Sequence, residues 1–153
     1  MRTAPLNYLI TLALGGLAWF VAAIVVGNYL GENVSLLDAS VEGFLGQYRT
    51  LLALAVALAL GLCFYWYFYG SRPETAGRLP QAKRRWAALF LTALAAGLAL
   101  VFALVLLFRA ETFTLGQYAL FFAAVSLNTY VLFWLSTLLM SPRTVINVPW
   151  GRR

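Results

Sequence analysis

Histidine does not occur in the 153 residues, cysteine occurs once, and aspartate and glutamate together number five. Without histidine there is no imidazole to ligate haem or chlorophyll, and the commonest metal ligand and general base is missing. The single cysteine, Cys63, excludes an intrachain disulfide and a cysteine-pair metal site, and reads as a buried, unreactive thiol. No glycine-rich phosphate loop is found. Only 10% of the residues are charged against about 25% in soluble domains. The residues at 8–26, 51–69, 86–108 and 119–140 lack Asp, Glu, Lys and Arg, and with them the usual ionisable groups of proton relays and ion-coupled transport. The chain is therefore read as a non-enzyme with no cofactor and no metal.

What is present is apolar: 63% of the residues are hydrophobic, more than a soluble fold of this length could hide. They are blocked into the same four runs, each close to the ~20 residues that a helix needs to cross ~30 Å of hydrocarbon. Nothing shows the alternation of a membrane β-barrel, and a helix satisfies its own backbone polar groups. The fold class expected is an all-α integral membrane protein with helices at about 7–29, 48–70, 84–108 and 115–140. The first run is longer than the apolar part of a signal peptide, so it is expected to remain as a helix.

The net charge of +6 matters through its placement. The loop 71–85 carries Arg72, Arg78, Lys83, Arg84 and Arg85 against Glu74, the tail 141–153 carries Arg143, Arg152 and Arg153, and Arg2 precedes the first run. The segment between the first two runs carries Glu32, Asp38 and Glu42 with only Arg49. Because Lys and Arg concentrate on cytoplasmic sides, both termini and the middle loop are expected there, in a bacterial inner membrane. Arg84 and Arg85 are then topology anchors with some attraction for anionic lipid headgroups. No basic stripe interleaved with aromatics suggests nucleic acid.

The letters LGQY occur at 45–48 and again at 115–118, so Gly46 and Gly116 stand 70 residues apart. A glutamate and a phenylalanine precede both copies, and Ser, Pro and Arg recur at 71–73 and 141–143. This order suggests two tandem related hairpins in parallel orientation, with both termini inside. Gln47, Tyr48, Gln117 and Tyr118 are read first as interfacial anchors, the tyrosine ring among acyl carbons and its hydroxyl among headgroups. A pair of equivalent outer contact sites is the functional alternative. Residues 35–46 suit a short amphipathic helix on the outer side, or an early start of the second helix.

Small residues recur at helical spacing: Thr11, Gly15, Ala18 and Ala22 in the first run; Ala53, Ala57 and Gly61 in the second; Ala88, Thr92, Ala95 or Ala96, Ala99 and Ala103 in the third. Such stripes allow close helix packing in lipid and are expected inside the bundle. The fourth run instead carries Ser126, Asn128, Thr129, Ser136 and Thr137. Asn128 falls near mid-membrane, where its amide calls for a hydrogen-bond partner on a neighbouring helix. Trp150 is expected to anchor an extended cytoplasmic tail. Aromatics crowd 64–69, a composition that could also pack a quinone or lipid tail.

The function expected is a non-catalytic structural or assembly subunit of a larger membrane complex, whose partners are other membrane-protein subunits, unlike chains or copies of itself, and membrane lipids. The alternatives are a homo-oligomeric channel or transporter for an uncharged substrate, and a lipid- or quinone-binding accessory subunit.

Overall fold

The structure is a computed structural model that describes residues 5–33, 41–70, 79–107, 115–140 and Val148. Within them the chain is helical: α1 (Pro5–Phe20), a π-helical segment (Val21–Val26), α2 (Gly27–Asn33), α3 (Val41–Tyr65), a second π-helical segment (Trp66–Gly70), α4 (Leu79–Leu107) and α5 (Leu115–Met140). Four helical spans are long and apolar enough to cross a membrane: Pro5–Tyr29, Glu42–Tyr69, Pro80–Leu106 and Tyr118–Leu139. Among the described residues, prolines appear only where helices start. Pro5 opens α1 and Pro80 sits in the first turn of α4, where a missing N–H leaves no hydrogen bond unmade.

Two boundaries differ from the sequence reading. Residues 41–46, for which the sequence leaves open a short outer helix or an early start of the second helix, are the first turns of α3. Residues 35–40 lie outside the described residues. The third helix begins at Leu79 rather than 84, so Lys83, Arg84 and Arg85 are helical and exposed, while Ala82 and Trp86 on the same turns are buried. A helix requires apolar residues only on the face it buries, and so it runs past the end of an apolar run.

Packing pairs α1 with α3 and α5, and α4 with the same two helices, so α1 and α4 flank a central α3–α5 pair. Successive spans run antiparallel, because Tyr48 and Tyr67 of the second span meet Ala22 and Thr11 of the first, and Trp86 of α4 meets Thr137 of α5. The core has three levels. Phe44, Tyr48, Val101, Leu104 and Phe121 fill the end where α2 leads towards α3. Val56, Ala59, Ala93 and Leu132 fill the middle, and Cys63, Trp66, Tyr67, Trp86 and Phe133 fill the other end. Val148, beyond α5, is fully buried in that last group.

Gly97 marks a close approach of α4 to its neighbours. A Cβ there would lie 3.0 Å from Val125 Cγ1 and 3.9 Å from Ala55 Cβ, so a side chain at this position would push Val125 aside by a few tenths of an ångström.

Of the small-residue stripes, only the first faces inward, with Thr11, Gly15 and Ala22 buried. Ala53, Ala57 and Gly61 on α3, and Ala88, Thr92, Ala95 and Ala99 on α4, are exposed. Neighbouring faces pack instead: Ala55, Ala59 and Cys63 on α3, and Ala93, Gly97 and Val101 on α4. The large side chains explain the choice, because Tyr48, Leu52, Trp66 and Tyr67 point the same way as Ala55 and Ala59 and have far more area to bury.

Candidate functional site

The first π-helical segment is where the candidate site begins. A π turn replaces the regular i to i−4 bonds by i to i−5 bonds and widens the helix. The Tyr48 hydroxyl donates to the Ala22 carbonyl of this segment at 3.1 Å. Gly27, just past the segment, lets the tyrosine ring come close, since a Cβ there would meet Tyr48 Cε1 at 3.2 Å. One helical turn beside it, the Trp19 indole N–H donates to the Arg49 carbonyl at 3.3 Å, and the Arg49 guanidinium donates to Asn28 Oδ1 at 3.2 Å. The second span thereby holds the π segment from one side.

On its other side the segment forms the wall of a groove. A cavity of about 300 Å³ runs between the first span and α5, lined by Leu14, Leu17, Ala18, Val21, Ala22 and Val26 on one side. Ala124, Leu127, Asn128, Val131, Leu132 and Leu135 line the other. The α5 positions follow the i, i+3, i+4, i+7 pattern of a single helix face. Small residues Ala18, Ala22 and Ala124 make the groove deep, and Leu127 (65% exposed) and Val131 (43%) rise beside it.

Asn128 is the one polar side chain in this lining. It stands at the middle of the fourth span, half-buried, and makes no hydrogen bond to any described residue. Among the described residues, the partner expected on a neighbouring helix is therefore not provided. Its neighbours on α5 differ. Thr129, Ser136 and Thr137 are buried inside.

Those inner polar groups tie the opposite end together. Tyr67 donates to the Ser136 carbonyl at 2.7 Å, and the Thr11 hydroxyl, 3.0 Å from Tyr67 Oη, divides its proton between that oxygen and the Asn7 carbonyl at 2.8 Å. The Trp86 indole N–H donates to Thr137 Oγ1 at 2.8 Å, while Thr137 donates back to the Phe133 and Trp134 carbonyls of its own helix. All four spans meet in these bonds. Trp66 Nε1 is buried here and unpaired among the described residues, and Ser136 Oγ has only the weakly bonding Cys63 thiol beside it.

Where α5 meets α3 and α4, Tyr48, Ala55, Gly97 and Val125 border a void of about 10 Å³, at the limit of what one water needs. Among the described residues no group of three His, Cys, Asp or Glu comes together.

The remaining residues singled out by sequence fall apart from the groove. Gln47 is exposed, whereas Tyr48 is buried in the core level that Tyr118 packs against. The Gln117 side chain and Trp150 lie outside the described residues. Arg84 and Arg85 are exposed on the first turns of α4. Among the aromatics at 64–69, Trp66 and Tyr67 are core residues and Tyr65, Phe68 and Tyr69 are exposed, with Tyr65 and Tyr69 ring centres 5.0 Å apart. The groove was not predicted, and its only signal in the sequence was Asn128. Compared with protein-family models, curated proteins and solved structures, the chain matches none.

Proposed function

We propose that this chain is a non-catalytic subunit or assembly factor of a larger complex in a bacterial cytoplasmic membrane, and that it takes a transmembrane helix of a partner into the groove between its first span and α5. The observation that carries the reading is Asn128, an amide at mid-span in an apolar groove with no hydrogen-bond partner among the described residues. An acyl chain filling the groove would leave that amide unsatisfied at the depth where no water reaches it. A helix bearing a polar side chain would fill the groove and satisfy the amide together.

The distribution of cations supports placing both termini and the middle loop in the cytoplasm. An origin by hairpin duplication is supported by the recurrence of LGQY, by the flanking of α3 and α5 by α1 and α4, and by the packing of Tyr118 against the level that holds Tyr48. In that reading the motif serves architecture: Tyr48 steadies the π segment that shapes the groove.

The test is the mass of the particle released from native membranes by a mild detergent. The expected result is an assembly heavier than the 16.9 kDa chain, dispersed by Ala124→Phe in the groove and unchanged by Ala99→Phe on the exposed face of α4. A lone chain in both cases contradicts the proposal.

A further inference from the structure

We infer that the helix occupying this groove is α5 of a second copy of the same chain, with Asn128 paired to Asn128 of the partner subunit. This rests on the groove being a helix-docking surface and names its occupant. Three observations converge on it. First, a primary amide is both donor and acceptor, so it is complementary to itself, and two such groups form two hydrogen bonds at once. Second, two copies inserted in the same orientation are related by an axis along the membrane normal, which places Asn128 of each at the same depth, the middle of the span Tyr118–Leu139. An unlike helix has no such built-in match of depth. Third, the patch carries both halves of a contact: Leu127 and Val131 project from α5, and Ala18, Ala22 and Ala124 leave the hollow beside them. A two-fold contact needs projections and hollows on one self-complementary surface.

The resulting arrangement has α5 and its copy in the centre with the two first spans outside. That repeats between chains the pattern seen within one, where α3 and α5 are central and α1 and α4 flank them.

The test uses the full chain in its own membrane, with Cys63→Ala as background. Single cysteines at Ala124 and Val131 are expected to give an oxidised dimer of twice the chain mass, and a cysteine at Leu91, exposed on α4, is expected to give none. Adding Asn128→Leu to the Val131→Cys chain should lower the yield by about threefold for each of the two amide hydrogen bonds, and Asn128→Gln should restore most of it. Equal cross-linking at Leu91, or a yield that ignores Asn128→Leu, overturns the inference. A heavier native assembly without the cysteine dimer also overturns it while leaving the groove as a site for an unlike helix. A lone chain with neither removes both.

Discussion

The hydroxyl of Tyr48 on α3 donates a hydrogen bond to the carbonyl of Ala22, 3.1 Å away in the π-helical stretch of the first span. A residue that begins as the last letter of a repeated tetrapeptide thus ties the second span to the π-helical backbone of the first. The opposite face of that stretch, at Val21, Ala22 and Val26, forms one wall of the groove. Sequence motif, backbone irregularity and candidate site are therefore one connected structure.

Tyr48→Phe keeps the ring and removes the bond. The expected loss is about 1 kcal/mol of stability, because the Ala22 carbonyl is left without that donor at a buried position. Reversible denaturation in mixed micelles measures it, and an unchanged midpoint would mean that the π segment holds its shape without Tyr48.

Ser136 and Thr137 are adjacent, both fully buried, and predicted to behave differently. Ser136 Oγ has only the buried Cys63 thiol, a weak hydrogen-bonding group, as its partner, so Ser136→Ala should leave stability nearly unchanged. Thr137→Ala strips the acceptor from the Trp86 indole N–H and should cost about 1–3 kcal/mol. The same denaturation assay distinguishes them, and a larger loss for Ser136→Ala would refute the assignment.

Gly97→Val places methyl groups into the 3.0 Å approach of α4 to Val125 and is expected to destabilise by about 1–3 kcal/mol. Gly61→Val, where a Cβ would meet nothing within 4 Å, is expected to change stability by less than about 0.5 kcal/mol. Thermal midpoints in detergent check the pair. Similar effects at both positions would contradict the assignment of inward and outward faces.

The proposed threading is open to labelling of single cysteines in intact cells, again with Cys63→Ala. A cysteine at Ala39 should react with a membrane-impermeant maleimide, and one at Thr75 should react only after the membrane is opened. The reverse pattern would invert the topology.

The four spans were legible because helices crossing lipid require long uncharged runs, and 115–140 matches α5 residue for residue. Which face of each helix packs was not legible. On α3 the series Ala53, Ala57, Gly61 and the series Ala55, Ala59, Cys63 have equal spacing, and only the directions of Tyr48, Leu52 and Trp66 decide between them. The π segments were invisible as well, since VAAIVV contains no glycine or proline and WYFYG has only Gly70 at its end, which reads equally well as the end of an ordinary helix. Asn128 was legible as an anomaly, but its lack of a partner is a property of how α1 and α5 meet. The burial of Val148 among Cys63, Trp66 and Phe133 depends likewise on chain path, and the sequence drew attention to Trp150 instead.

The most direct measurement of the central claim, that the groove receives a helix, is photo-cross-linking in native membranes. A photoreactive side chain at Val131, exposed at the groove, is compared with one at Leu91, exposed on α4. The account predicts a polypeptide adduct at Val131, lost on Ala124→Phe, and only lipid adducts at Leu91. Lipid adducts alone at both positions would contradict it.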